Sequence, residues 1–152
     1  MAGIVFLDSE PLGLASQARG KRGADTCSDW LLRLETAGVR ILVPEIVDYE
    51  VRRELVRVGA TAGLRRLDNL LGRFPLLRLD RASLLRAAEL WALVRRAGLP
   101  TAHSHSLDVD AILAAQALTA TGPGNTATIA TSNPHHLARF PGIDARPWAM
   151  IT

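Results

Sequence analysis

The sequence predicts an α/β fold of three layers, with a central, mainly parallel sheet of about five strands and helices on both faces. Three observations predict it. Short apolar runs alternate with longer helical patterns along the chain, and such alternation builds parallel sheets covered on both sides. The 152 residues are 48% hydrophobic and 22% charged, the balance of a folded domain rather than a disordered chain. That length suits one well-formed core and is short for two. No linker or repeat is visible, so residues 1–152 read as a single domain.

The elements follow in order. The first strand is expected at Ile4–Asp8: its apolar run has no basic leader and meets an acid at once, so it reads as a strand rather than a signal peptide. Helices are expected at about Pro11–Arg19 and Asp25–Ala37, then a strand at Arg40–Val43. Pro44–Val58 opens with proline, a residue suited to a helix start, and Val47, Val51, Leu55 and Val58 fall on one core-facing stripe. A helix at Ala60–Gly72, a strand at Leu76–Leu79 and a helix at Ala82–Ala97 come next. Pro100–Ser106 and Gly122–Asn125 read as loops. Between them Val109–Thr121 is apolar nearly all round, which predicts burial on most faces. Ala127–Thr131, a turn near Pro134–Arg139 and a strand at Asp144–Trp148 complete the pattern. No run of eighteen apolar residues occurs, so no membrane span is expected.

Cys27 is the sole cysteine. It excludes an internal disulfide and any cysteine-based zinc site, and fits a reducing cytoplasm. The net charge is +3. Lys21 is the single lysine, and Arg52 through Arg96 hold eleven arginines against four acids. An excess of that size suits either solvated helix faces or a polyanion partner.

Several acids stand where an acid costs energy. Asp8 closes the first apolar strand, and in parallel sheets ligands sit beyond the carboxyl ends of the strands. Asp8 or Ser9 also suits a helix cap. Glu50 and Glu54 are four apart on one helix and repel unless a cation lies beside them; Glu54 fits a surface pair with Arg57, whereas Glu50 lies nearer the strand ends. Asp108 is placed as an N-cap for the amides of Asp110 and Ala111. Asp110 then falls in the first turn of a buried helix. The helix dipole contributes only a few tenths to about one kcal/mol there, less than the several kcal/mol of desolvating an unpaired carboxylate. Either an arginine pairs with Asp110 or it borders a solvated cleft containing a cation. Thr131-Ser132-Asn133 ends another strand in hydroxyls and an amide, suited to a turn before Pro134 or to holding metal-bound water or a phosphate.

These segments, in this order, resemble PIN-domain proteins, in particular the VapC-like toxin ribonucleases. The resemblance rests on a first strand ending in Asp8; Pro44-Glu45-Ile46-Val47-Asp48-Tyr49-Glu50; Ala88-Glu89-Leu90-Trp91-Ala92 before Gly98; Asp110-Ala111-Ile112-Leu113-Ala114-Ala115; Thr131-Ser132-Asn133; and Arg139-Phe140-Pro141-Gly142-Ile143 ahead of Trp148. It implies an acidic pocket that binds Mg2+ or Mn2+ and hydrolyses single-stranded RNA. Asp8, Glu50 and Asp110 match the family's three principal acids, with Thr131, Asn133 and Ser9 in support. Many members carry a fourth aspartate where this chain has Asn133, which puts a second metal ion in question, and Asp108 is a candidate for that charge. The resemblance further implies a cognate antitoxin and a homodimer.

The chemistry is consistent with the acids alone. A hard cation activates water and stabilises charge on phosphate, and magnesium takes oxygen ligands while keeping several waters. No histidine is then required as base; His103, His105, His135 and His136 are expected in solvated loops. Arg52 and Arg53 are candidates for holding RNA phosphates, while aromatic residues are only 5% and offer few stacking platforms. Phosphoaspartate enzymes need a late lysine, and Lys21 is early. No glycine-rich turn follows the first strand, which argues against a P-loop or dinucleotide fold. The remaining alternative is a metal-poor RNA-binding or protein-interaction module on the same fold, with Asn133 marking lost activity.

Overall fold

Five apolar segments pair into one sheet. They are β1 (Ile4–Leu7), β2 (Arg40–Pro44), β3 (Leu76–Leu77), β4 (Ala127–Thr131) and β5 (Ile143–Pro147), in the order β3-β2-β1-β4-β5. The computed structural model describes residues 3–98 and 104–152. Every pairing is parallel; Phe6, for example, sits beside Leu42 on one side and Ile129 on the other. Phe6, Leu7, Val43, Ile129 and Ala130 are all fully buried. Strands apolar on both faces are what a doubly covered parallel sheet requires.

The helices are α1 (Ser9–Ala15), α2 (Ala24–Thr36), α3 (Glu45–Arg57), α4 (Thr61–Arg73), α5 (Arg81–Arg96), α6 (Ser104–Thr121) and α7 (Pro134–Leu137). They cover both faces of the sheet, as the alternation predicts. Trp30 of α2 is buried against Trp148, with ring centroids 5.3 Å apart. Its indole N–H donates to the Ile151 carbonyl at 2.9 Å, which ties down the last residues.

Because β1 is central, the chain moves outward to β2 and β3 and then returns to β4 on the other side of β1. The carboxyl ends of β1 and β4 thus diverge at the switch point of the sheet, where α/β folds bind ligands. Asp8 and Thr131 stand at those two ends. Gln116, in the middle of α6, fixes a third element there. Its buried amide accepts from the Ile46 N–H at 3.2 Å and donates to the Leu77 carbonyl at 2.8 Å. Ile46 lies in the opening turn of α3, whose amides have no helical acceptor. A buried side chain supplies one.

Four expectations need correction. Helix α6 begins at Ser104, so part of the expected Pro100–Ser106 loop is helical and Asp108 lies inside the helix, not at its cap. His103 lies outside the described residues, and the backbone of His105 is helical. Helix α1 starts at Ser9 and ends at Ala15, because Asp8 caps it directly and the Ser16 hydroxyl turns back to the Gly13 carbonyl. Val58, the last of the α3 stripe, follows the helix as its C-cap and is 59% exposed.

Candidate functional site

Asp8 continues the β1 ladder, its N–H donating to the Ala130 carbonyl at 3.0 Å. Its extended backbone then lets the side chain serve two neighbours. Oδ1 accepts from the Ser9 N–H at 2.7 Å as the cap of α1, and Oδ2 accepts from the Thr131 hydroxyl at 2.7 Å. Cap and site are therefore one residue. Thr131 is fully buried at the end of β4, and its hydroxyl accepts in turn from the Asn133 N–H at 3.0 Å. Burial raises the Asp8 carboxyl above its ordinary value, with the Thr131 and Ser9 bonds and the negative charge of Glu10 as smaller influences.

Glu50 comes from the second turn of α3. Its side chain is half-buried, and the Arg53 guanidinium approaches to 3.7 Å. Burial raises this carboxyl too, and Asp8 pushes it further while the Ser9 hydroxyl and Arg53 oppose. Asp110 comes from α6. The helix starts earlier than the sequence suggests, so Asp110 lies well beyond the first turn, where the dipole's help has fallen off. Burial, then Asp8 and Glu50, push its carboxyl up to about 7, with Arg139 pulling the other way. The influence of each acid on the next is the electrostatic sign that they share one space.

That space is a hollow of about 280 Å³ lined by Asp8, Ser9, Glu10, Glu50, Ser106 and Asp110 from the β1–α1, α3 and α6 side, and by Thr131, Ser132, Asn133, His136 and Leu137 from β4 and α7. Residues 131–139 form its far wall. The Asn133 amide nitrogen lies 3.3 Å from His136 Nδ1, and Arg139 donates to the His136 carbonyl at 2.7 Å and to Asp110 Oδ2 at 3.4 Å. The sequence offered Asp110 an arginine or a wet cleft. It has both.

The chain matches the PIN domain family over residues 5–139. It belongs to that family. Among curated proteins no sequence match is found. Solved structures are similar in fold. VapBC2 from Rickettsia felis, bound to a DNA fragment from its promoter, matches with a TM-score of 0.70 at 18% identity, over 94% of this chain and 97% of that one. FitAcB from Neisseria gonorrhoeae gives 0.64 at 17%, over 95% and 98%. DNA-bound VapBC from Salmonella typhimurium gives 0.62 at 18%, over 97% and 99%.

Within this PIN domain the predicted residues separate. Asp8, Ser9, Glu50, Asp110, Thr131 and Asn133 meet at the hollow. Asp108 does not. Two positions before Asp110 is more than half a turn of helix, and Asp108 lines a different groove, beside Leu84, Trp91 and Ile112 between α5 and α6. It cannot replace the missing fourth acid. Arg52 is also removed from the candidate RNA contacts, because its guanidinium is held by Asp48 at 2.9 Å and Asp68 at 2.8 Å, joining α3 to α4. Arg53 stays at the rim, 45% exposed and 5.3 Å from the centre of the Tyr49 ring. Glu54 pairs with Arg57 at 2.8 Å on the surface.

Glu10, Ser106, His136 and Arg139 escaped the sequence reading as site residues, whereas Ser132 was read with Thr131 and Asn133. For Asn133, His136 and Arg139 a signal existed in their three-residue spacing, which a single helical turn after Pro134 brings to one side.

The donor set tests the fit to a cation. Three carboxylates, with hydroxyls beside them and no thiolate, are ligands for a hard ion such as Mg2+ or Mn2+. Among the described residues no group of three or more histidine, cysteine, aspartate or glutamate side chains is drawn together closely enough to hold a metal ion. A hard ion that keeps much of its water needs no closed cage. The donor chemistry is thus that of a hard-ion site, without the side chains gathered around one point.

Proposed function

We propose that this PIN domain is a divalent-metal-dependent endoribonuclease acting on single-stranded RNA, the toxin of a toxin–antitoxin pair, and that Asp8, Glu50 and Asp110 form its metal site. One observation carries the reading: acids from the end of β1, from α3 and from α6, remote in sequence, line one hollow at the switch point of the sheet, where burial and then the Asp8 charge raise the carboxyls of Glu50 and Asp110. Arg53 and Arg139 approach Glu50 and Asp110, yet acids still outnumber these cations around the hollow. A pocket of like charges is what a cation site requires.

A bound Mg2+ or Mn2+ supplies an activated water and charge stabilisation at the scissile phosphate. The residues of the chain do the rest. Ser9 and Thr131 orient the two oxygens of Asp8, so its remaining lone pairs have a fixed direction. Glu50 and Asp110 supply oxygens from α3 and α6. Ser106, Ser132 and His136 border the same space and are placed to contact ribose or phosphate. Arg53 at the rim offers a cation to a flanking phosphate, an attraction that weakens with salt. Cys27 plays no part, since it is buried and its thiol is pushed up to about 12.

The toxin reading draws support from the fold shared with VapBC2, VapBC and FitAcB. An antitoxin partner, a homodimer and a cytoplasmic setting belong to the same proposal; no helix among the described residues is long and apolar enough to cross a membrane. The test is purified protein with single-stranded RNA and Mn2+, with and without chelator. Chelator-sensitive cleavage lost in Asp8→Asn is the expected result. RNA binding without cleavage would favour the interaction-module reading that Asn133 raises.

A further inference from the structure

We propose that the groove between α5 and α6 docks a second copy of this chain, the two copies related by a twofold axis that crosses the groove. The proposal rests on the homodimer included in the reading above and assigns it a face of the molecule.

Helix α5 carries two stripes at helical spacing, and the fold covers one of them. Ser83, Ala87, Leu90 and Val94 are buried. On the neighbouring flank Arg81, Leu84, Ala88, Trp91 and Arg95 recur at the same spacing, and all five are exposed. Leu84 is 42% exposed and Trp91 39%. With Ile112 of α6 these side chains line one groove of about 310 Å³. Exposed leucines are ordinary one at a time, but a contiguous apolar patch marks a surface that is covered in use.

The charges around the groove indicate what covers it. Helix α6 follows α5 after a short connection and packs along it, so the two run in opposite directions. Trp91 and Asp108 therefore share one end of the groove, and Arg81, one turn before Leu84, stands at the other. Neither Asp108 nor Arg81 is among the ion pairs formed by the described residues. Arg95, at the Asp108 end, is turned onto the Trp91 ring, 5.5 Å from its centre. An acid at one end, a base at the other and apolar side chains between them make a surface complementary to itself after a half-turn, as a twofold interface requires. Each Asp108 then meets the Arg81 of the other copy, and each Trp91 lies over the other's Leu84. A partner carrying charge of one sign would meet its like at one end.

Sedimentation equilibrium of the full chain tests this. The wild type is expected at twice its 16.4 kDa, and Leu84→Asp should be monomeric. Asp108→Arg and Arg81→Asp should each weaken association roughly tenfold or more by setting like charges together, and the variant with both changes should recover it. All three positions are exposed, and circular dichroism checks that each variant folds. A monomeric wild type, which would leave the groove to a different protein, a dimer that survives Leu84→Asp, or a double variant no tighter than the single ones would overturn the proposal. RNA cleavage by the same samples separates the two readings. A dimer that cleaves no RNA would keep this interface and remove the nuclease, and cleavage by a monomeric wild type would do the reverse.

Discussion

Asp8 is held by two donors, while Glu50 and Asp110 each face a single guanidinium at longer range. Substitutions should therefore differ in kind. Thr131→Val keeps the shape of a fully buried side chain and removes the hydroxyl that fixes Asp8 Oδ2. Losing a hydrogen bond to a charged group costs about 1.5–3 kcal/mol, so chemical unfolding should show a loss in that range, and RNA cleavage should fall roughly tenfold with the misorientation of Asp8. Asp110→Asn should abolish cleavage without destabilising the metal-free protein. Its carboxyl is raised to about 7 in the folded chain from an ordinary 3.8, so the ionised form is the costly one, and asparagine resembles the protonated form. At pH 8 the variant should be as stable as wild type or more so, by on the order of 2 kcal/mol. A large loss in a urea melt would instead make the Arg139 pair a main support of the fold.

Much of the element pattern could be read from the sequence, since apolar period and turn residues report strands and helices directly. The start of α6 could not. Ser104, Ser106 and Asp108 are all residues that cap helices well, and the apolar pattern becomes dense only at Leu107, so Asp108 looked like the boundary. The chain is already helical at Ser104, which places Asp108 inside the helix and Asp110 beyond its first turn. The acids were legible because each breaks an apolar run or a helix face. Of the wall formed by Asn133, His136 and Arg139 only Asn133 was read, because α7 is four residues long and the three-residue spacing is the one trace it leaves. Gln116 was equally hidden: one amide in an apolar helix says nothing about its distant partners. It joins α6 to the start of α3 and to β3. Gln116→Leu should leave the Ile46 N–H and Leu77 carbonyl unsatisfied, at about 1–3 kcal/mol for each group. Equilibrium unfolding should register that loss, and cleavage should weaken because α3 carries Glu50.

Across the whole molecule, the basic surface and the acidic hollow are separate features. The arginine excess of residues 52–96 is partly neutralised by surface pairs: Arg52, Arg57, Arg73 and Arg86 each meet an acid. Of the site acids, Glu50 and Asp110 meet a guanidinium only at 3.7 and 3.4 Å. Asp8, Glu50 and Asp110 are all raised, so in the window between their ordinary values and their folded values the folded chain binds more protons than the unfolded one. Stability of the metal-free protein must then fall as pH rises through that window, from about 4 to about 7 for Asp110. An ion that binds the deprotonated carboxylates reverses the slope, because it stabilises the folded state more as protons leave.

The most direct measurement is the melting temperature at pH 5.5 and pH 8, without metal and with saturating Mn2+. The metal-free protein should melt lower at pH 8. Mn2+ should raise the pH 8 value by several degrees and have little effect at pH 5.5, and the Asp8→Asn, Asp110→Asn double variant should show neither trend. A wild-type melting temperature indifferent to Mn2+, or a Mn2+ shift retained by the double variant, would contradict a cation site built from these carboxylates.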